Sequence, residues 1–151
     1  MSAIERETVN IRRMLRRDID AVLALDWKIG GGRGLISYND MAAADIGGPL
    51  DLSFVAETDG KIIGLLLTRL AYLMVPFAEV CIIQGIAVDP DYQRRGIGSR
   101  LVNELLSHCH AEGINKVRAL IDEGNTELRR FAESLGFRRS NIINYDKTFE
   151  T

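Results

Sequence analysis

The sequence contains few cysteines, few prolines, no excess of basic charge and no long apolar run. It has two cysteines and three prolines in 151 residues, and 19 basic residues against 21 acidic ones leave a formal net charge of −2. Two cysteines do not make a disulfide framework. Without a basic excess, the chain lacks the charge that sequence-independent nucleic-acid binders use to neutralise phosphates. The longest apolar stretch, near Ile62–Leu67, is far shorter than the ~18 residues of a membrane helix.

The cysteines and histidines do not form a metal-binding pattern. Neither Cys81 nor Cys109 belongs to a C-x-x-C pair, and His108 and His110 lack metal-ligand spacing to them. Both cysteines lie in apolar patterns, which predicts buried free thiols. The N-terminal segment MSAIERETVN is polar and charged and lacks the apolar region of a secretory signal. We therefore expect a soluble, cytoplasmic protein that binds no metal, no membrane and no nucleic acid.

Length and composition predict one globular domain spanning residues 1–151. Domains typically contain about 100–150 residues, so there is no room for a second one. The hydrophobic share of 46% and the charged share of 26% lie in the ordinary globular range. A chain of this size buries enough surface for a core without covalent staples.

Apolar periodicity predicts a mixed α/β fold. The runs Leu52–Glu57 and Lys61–Leu70 are joined by Asp59-Gly60, a pair that favours a tight antiparallel hairpin. The strongest helix signal covers Gly98–Glu112 and is followed by a glycine. The other predicted elements are strands over Val9–Met14, Val80–Val88 and Lys116–Ile121, helices over Asp18–Gly30, Asn39–Ile46 and Thr126–Leu135, and a strand-rich tail over Phe137–Phe149.

The segment Val88–Leu101, with the sequence VDPDYQRRGIGSRL, combines the features of an anion-binding turn. A buried strand ends, a polar turn follows, and Gly96 and Gly98 precede an amphipathic helix. Glycines allow a ligand to approach the backbone closely. The first N–H groups of a helix lack an intrahelical partner, and the helix dipole makes that end electropositive. Because Arg94 and Arg95 add positive charge, the segment is suited to a phosphate or pyrophosphate.

The two glycines alone are a weak signal. A dinucleotide-binding fingerprint needs a third glycine near Leu101, and a P-loop needs Gly-Lys-Ser or Gly-Lys-Thr; both are absent. A tight strand-to-helix turn without a ligand explains the glycines equally well.

The complete motif is more specific. The residues from Gln93 to Gly98, QRRGIG, match the Q/R-x-x-G-x-G/A signature of the GCN5-related N-acetyltransferase (GNAT) superfamily. Upstream, Ile86–Pro90 resembles the end of that family's fourth strand. Downstream, Asn125–Phe137 resembles its N-x-x-A-x-x-L-Y-E-x-x-G-F segment. The resemblance covers nearly the whole chain.

The resemblance implies a fold and a co-substrate. The family fold is a strongly bent mixed β-sheet, flanked by about four helices and splayed between its fourth and fifth strands, with acetyl-CoA in the splay. By position, Ile86, Ala87 and Val88 would make main-chain contacts to the acetyl and pantetheine groups. Asn125 matches a position near the pantetheine, although this residue type equally suits the N-cap of the following helix. The pyrophosphate would be held by the backbone of Gln93, Arg94, Arg95, Gly96, Ile97, Gly98 and Ser99.

The catalytic acid and base are not evident from the resemblance. The family often has a tyrosine, as general acid for the departing thiolate, where this chain has Ala132. Some relatives use a fourth-strand glutamate where this chain has Ile82. Unless the strand contains a bulge, alternation places Ile82, Gln84 and Ile86 on one face. The remaining candidates are Glu79 and Asp122 as general bases, Gln84 as a residue facing the substrate, Tyr145 or Tyr72 as the acid, and a water molecule.

These features predict an acyl-CoA-dependent N-acyltransferase that uses acetyl-CoA and a small-molecule, peptide or protein amine. Because Ala132 replaces the usual acid, a non-catalytic CoA-binding or regulatory module of the same fold is the alternative. A nucleotide-binding regulatory domain would rest on the glycine turn alone. The sequence does not identify the amine, and a homodimer is compatible with it.

Overall fold

A computed structural model of the chain describes residues 8–32, 40–41, 45–74 and 77–150. The chain divides into two compact units, one ending at Leu120 and the other beginning at Ile121. No helix in these ranges is long and apolar enough to cross a membrane.

The first unit is built around a mixed β-sheet. Its elements are β1 (Asn10–Arg13), α1 (Ile19–Ile29), β2 (Phe54–Thr58), β3 (Lys61–Met74), β4 (Phe77–Val88), α2 (Ile97–Ala111) and β5 (Val117–Ala119). Among the residues described, the five strands lie in the order β1-β2-β3-β4-β5. The first four strands run antiparallel to their neighbours, and β5 runs parallel to β4.

A hydrophobic core lies on each face of this sheet. On one face the apolar stripe of α2 packs on β2, β3 and β4, with the buried residues Phe54, Ala56, Ile63, Leu66, Cys81, Ile97, Leu101, Leu105 and Cys109. On the other face α1 packs on β2 and β3, with the buried residues Ile19, Val22, Leu25, Val55, Ile62 and Leu65. The alternation of strand side chains thus separates two cores in a helix–sheet–helix arrangement.

Two turns predicted from glycine positions are confirmed. The β2–β3 hairpin turns at Asp59 and Gly60, whose φ angles of 49° and 75° are both positive, as in a type I′ turn. α2 ends at Gly113, with φ of 76°, and the Ile114 N–H donates to the Cys109 carbonyl at 2.8 Å. This bond and the left-handed glycine define a Schellman motif.

Most predicted elements agree with the structure to within a few residues. The helix predicted over Asp18–Gly30 is α1, and the strand predicted over Lys116–Ile121 is observed as the shorter β5. Half of the helix predicted over Asn39–Ile46 lies outside the described residues. Cys81 and Cys109 are buried free thiols, as expected.

The second unit contains one helix among its described residues, α3 (Thr126–Ser134). Asn125 caps its start, because its Oδ1 accepts the Leu128 N–H at 3.1 Å. The chain leaves the helix at Gly136, whose φ is 91°. Both ends of this helix are therefore where the sequence predicts them.

The predicted strand-rich tail is wrong. Residues 137–150 contain no strand, and the described part of the second unit has no other strand for them to pair with. Ile143, Tyr145 and Phe149 are 72%, 88% and 77% exposed. Apolar residues at alternating positions are not sufficient for a strand, because strand backbone requires a hydrogen-bonded neighbour.

β3 and α2 are in close contact at Gly64. A Cβ atom at this position would lie 3.3 Å from both Ala56 Cβ and Leu101 Cδ1, and 3.4 Å from Ile97 Cγ2. Packing rather than backbone conformation therefore requires glycine here.

We expect Gly64→Val to lower the free energy of unfolding by about 1–3 kcal/mol, because the added methyl groups overpack the β3–α2 contact. Urea unfolding of the purified variant measures this loss. Gly85→Ala is the matched control, since a Cβ atom at Gly85 meets nothing within 4 Å. Equal stability of the two variants would contradict the assignment of a packing role to Gly64.

Candidate active site

The sheet opens between β4 and β5. The two strands pair from Cys81 opposite Val117 to Ile83 opposite Ala119. Beyond Ile83, β4 continues to Val88 with β3 as its neighbour on one side alone. Among the described residues, this second half of β4 has a free edge. The expected splay between the fourth and fifth strands is confirmed.

A β-bulge at Gln84 marks the start of the free edge. Ile83 and Gly85 pair with successive residues of β3, so Gln84 has no residue opposite it. The bulge reverses the alternation of side chains: Ile83 before it and Ile86 after it both pack on the α2 side. Ile82, Gln84 and Ile86 are expected on one face only in a strand without a bulge, and the observed bulge instead places Ile86 on the same side as Ile83.

The backbone of Ile86 and Val88 faces the free edge. The Asp89 N–H donates to the β3 backbone at 2.8 Å. In an antiparallel ladder this places the N–H and C=O groups of Ile86 and Val88 on the side away from β3, and those of Ala87 toward it. From the free side, Gln93 Nε2 donates to the Val88 carbonyl at 3.2 Å.

A left-handed turn connects this edge to α2. A 3-10 turn over Pro90–Tyr92 comes first, and Arg94 and Gly96 then adopt φ angles of 64° and 75°. A positive φ is uncommon for a non-glycine residue, and such strain concentrates at functional sites. A Cβ atom on Gly96 would meet nothing within 4 Å. Backbone conformation therefore requires this glycine, and the space beside it is open.

A row of N–H groups at the start of α2 is unsatisfied. Those of the residues from Arg94 to Ser99 have no hydrogen-bond acceptor in the part of the chain that the structure describes, and the first bond is from the Arg100 N–H to the Gly96 carbonyl at 3.0 Å. The α2 dipole makes this end electropositive. An anion with several oxygens would supply the missing acceptors. We call residues Gln93 to Ser99 the anion-binding turn.

Side chains add positive charge to the anion-binding turn. Arg94 and Arg95 are exposed and form no ion pair with any described residue. The Arg95 guanidinium lies 5.0 Å from the centre of the Tyr92 ring. Ile97 is 2% exposed within the core, so only its backbone is available to a ligand.

A buried carboxylate precedes the anion-binding turn. Asp89 is 1% exposed, accepts the Asp91 N–H at 2.9 Å and pairs with Lys28 Nζ at 3.0 Å. Burial raises the pKa of Asp89, but the hydrogen bonds from Asp91 and Lys28 outweigh it and hold the pKa below its usual value. Lys28 is 61 positions away in the chain, so no local sequence pattern predicts this pair.

Two catalytic candidates lie on β4. Gln84 is exposed at the bulge, beside the free edge. Glu79 is partly buried and lies before the residues that pair with β5. From Glu79 to Ile86 an extended strand spans roughly 23 Å. Glu79 thus lies near the start of β4, whereas Gln84 lies at the bulge, two residues before Ile86.

Tyr72, considered as the acid, lies on β3, and the other candidates lie in the second unit. Asp122 is exposed, and its Oδ1 accepts the Gly124 N–H at 2.7 Å, which is the bond of a turn carboxylate. Tyr145 is almost fully exposed. Of the two roles considered for Asn125, that of helix N-cap is observed. Ala132, at the position of the family's usual tyrosine, lies on α3.

Comparison with known proteins assigns the chain to a family. The model of the acetyltransferase (GNAT) family matches residues 19–137 of 151. The chain belongs to this family. The matched range begins with α1 and includes the anion-binding turn and α3.

Two curated relatives and one solved structure show the extent of the similarity. An uncharacterised N-acetyltransferase from Methanocaldococcus jannaschii is 27% identical over an alignment of 144 residues, and the match covers 91% of this chain and 64% of that protein. The [ribosomal protein bS18]-alanine N-acetyltransferase of Escherichia coli is 29% identical over 91 residues, 60% of this chain and 57% of that protein. The chain thus spans less than two thirds of the length of either relative.

The solved structure shows a shared fold. It is AAC(6')-Iy in complex with the bisubstrate analogue CoA-S-monomethyl-acetylneamine, and it is 21% identical in sequence. The superposition has a TM-score of 0.78 and covers 94% of this chain and 99% of that one.

We expect Asp89→Asn to lower the free energy of unfolding at pH 7 by about 1–3 kcal/mol, because the charged hydrogen bond to Lys28 is lost. Since the folded pKa of Asp89 is depressed, its contribution is present above the unfolded pKa of about 4 and is lost as the pH falls below it. The difference from wild type should therefore shrink at about pH 3. Urea unfolding of both proteins at pH 7 and at about pH 3 measures this difference in the free energy of unfolding. A difference that does not change with pH would contradict this role of the charge.

Proposed function

We propose that the chain is an acyl-CoA-dependent N-acyltransferase that transfers acetyl from acetyl-CoA to a primary amine in a ternary complex. The row of unsatisfied N–H groups from Arg94 to Ser99, which follows the free edge of β4, is the observation that carries this proposal. Membership of the acetyltransferase family supports it. So does the structural likeness to AAC(6')-Iy, which was solved in complex with a CoA-containing bisubstrate analogue.

The geometry suits two parts of acetyl-CoA. The anion-binding turn offers N–H groups and the guanidinium groups of Arg94 and Arg95, which form no ion pair with a described residue, to the pyrophosphate. The exposed backbone of Ile86 and Val88 can pair with the pantetheine amides as a strand would. For Ala87 and Asn125, the proposed contact with the co-substrate rests on the family resemblance alone. The residues proposed to bind the co-substrate are Ile86, Ala87, Val88, Gln93, Arg94, Arg95, Gly96, Ile97, Gly98, Ser99 and Asn125.

The proposed transfer exchanges one bond for another. An N–C bond forms between the amine and the acetyl carbon, the C–S bond breaks, one proton leaves the nitrogen, and one reaches the thiolate sulfur. N–H groups on the free edge of β4 are suited to stabilise negative charge on the carbonyl oxygen. A thiolate is a fairly good leaving group, since a simple thiol has a pKa of about 8.5. Ala132 in place of tyrosine is therefore compatible with turnover.

Proton removal from the amine is proposed to use a water molecule at the open edge. Gln84 lies beside this edge and can orient the amine, but an amide does not accept a proton usefully. Glu79 and Asp122 remain the carboxylate candidates for the base, and Tyr145 the phenol candidate for the acid.

The amine acceptor is proposed to be a small molecule or a peptide or protein amine. The Escherichia coli relative is named for an alanine of ribosomal protein bS18, and AAC(6')-Iy is named for aminoglycosides. Members of the family are thus named for both classes of acceptor. We further propose that residues 1–151 act as one domain in the cytoplasm, without a metal, with a homodimer as one assembly.

We expect Gly96→Glu and Gly98→Glu each to abolish acetyl-CoA binding, because a carboxylate would occupy the space proposed for the pyrophosphate. Isothermal titration calorimetry with millimolar acetyl-CoA measures this. Gly113→Glu is the matched control for Gly96→Glu: its φ is 76°, its Cβ position is also open, and it lies at the other end of α2. Failure of wild type to bind would overturn the proposed function.

We expect wild type to release free thiol from acetyl-CoA with at least one class of amine. The panel consists of arylalkylamines, polyamines, peptide N-termini, lysine side chains and aminoglycosides, and thiol release is followed with a thiol reagent. Cofactor binding without turnover on any amine would instead indicate a non-catalytic CoA-binding module.

A further inference from the structure

Lys28 joins α1 to the segment that precedes the anion-binding turn. Its Nζ lies 3.0 Å from each carboxylate oxygen of Asp89 and 2.9 Å from Asp91 Oδ2. Lys28 is in the last turn of α1, and the two aspartates flank the proline that begins the 3-10 turn. One ammonium group thus bridges two carboxylates that come just before the unsatisfied N–H groups.

These carboxylates are unfavourable neighbours for an anionic ligand. Asp89 is buried, yet the Asp91 N–H and Lys28 keep it ionised. The Asp91 side chain is 71% exposed and is the second carboxylate bound by Lys28. Without a cation between them, two negative charges would lower the potential where a pyrophosphate is proposed to bind.

Lys28 is better placed to neutralise Asp89 and Asp91 than the other cationic side chains near the anion-binding turn. Lys61 Nζ is 4.0 Å from Asp89 Oδ2 and lies 5.6 Å from the centre of the Tyr92 ring. Arg94 and Arg95 form no ion pair with the described residues. The two arginines therefore remain available to a ligand, while Lys28 is committed to the carboxylates.

We propose that Lys28 is a positioning residue for the cofactor site: by neutralising Asp89 and Asp91 it permits the anion-binding turn to accept the pyrophosphate of acetyl-CoA. This inference rests on the proposed function. Lys28 touches no reacting atom in this scheme and acts through the two aspartates.

The test is calorimetric titration of Lys28→Met with acetyl-CoA, which requires no amine. At about 0.05 M salt we expect the Kd to rise about three- to tenfold, because the unmasked charges repel the ligand. At about 0.5 M salt, where screening is strong, the ratio to wild type should fall toward one. Lys116→Met is the matched control: it loses the same charge at an exposed position before β5 and should bind like wild type.

A second variant tests the charges themselves. In the Lys28→Met background, Asp91→Asn removes one carboxylate and should recover part of the lost affinity. Asp91→Asn alone should bind at least as tightly as wild type, and because Asp91 is exposed this variant tests the charge without removing a buried group. Because Lys28→Arg keeps the positive charge, its Kd should lie closer to that of wild type than the Kd of Lys28→Met does.

The outcomes separate this inference from the proposed function. A Lys28→Met defect of equal size at both salt concentrations, without recovery by Asp91→Asn, would overturn the inference in favour of a purely structural ion pair. An unchanged Kd in Lys28→Met would also overturn it, while wild-type binding would leave the proposed function standing. If wild type itself does not bind acetyl-CoA, the proposed function fails and the inference fails with it.

Discussion

The proposed site depends on the early end of pairing between β4 and β5. β5 leaves the ladder at Ala119, while β4 runs on to Val88. A strand edge with unpaired N–H and C=O groups normally invites pairing with another chain. Here the edge is followed, after a short 3-10 turn, by the anion-binding turn, whose N–H groups from Arg94 to Ser99 also lack an acceptor among the described residues. A ligand that is extended at one end and anionic at the other complements both features, which is why the two are best understood as one site.

The rigidity of α2 keeps this site in place. Its first residue, Ile97, is already part of the core, and the apolar stripe continues through Leu101 and Leu105. A helix held from its first turn cannot tilt away from the sheet without exposing that surface. The strained φ of Arg94 and the left-handed Gly96 then direct the chain into the helix. The packing of α2 in the core thus fixes the direction in which the backbone N–H groups at its start point.

The sequence predicts those parts of the fold that depend on one or two residues. Asp59-Gly60 and Gly113 require a positive φ, and the structure has turns at these positions. The glycines of the anion-binding turn likewise predict a turn from one or two residues alone. The bulge at Gln84 is different. Because β4 is apolar on both faces, its sequence has no clear polar–apolar alternation that would show where the side chains switch faces.

Features that depend on distant parts of the chain are not predictable in this way. No residue near Lys28 in the sequence indicates that its partner is Asp89. The end of α1 and the segment after β4 are 61 positions apart and come together only when the chain folds. The strand prediction for Phe137–Phe149 is wrong for the opposite reason. The local sequence pattern is that of a strand, but a strand also needs a neighbouring strand to pair with.

The near-neutral charge of the chain is a poor guide to its ligands. A total of −2 argues against binding an extended polyanion. A compact anion responds to the local field, which depends on how each charge is already engaged. At the anion-binding turn the negative charges of Asp89 and Asp91 are paired with Lys28, whereas Arg94 and Arg95 are unpaired among the described residues. The positive potential of the turn therefore arises from the arrangement of ion pairs and helix N–H groups, and a chain with an acidic total can present it.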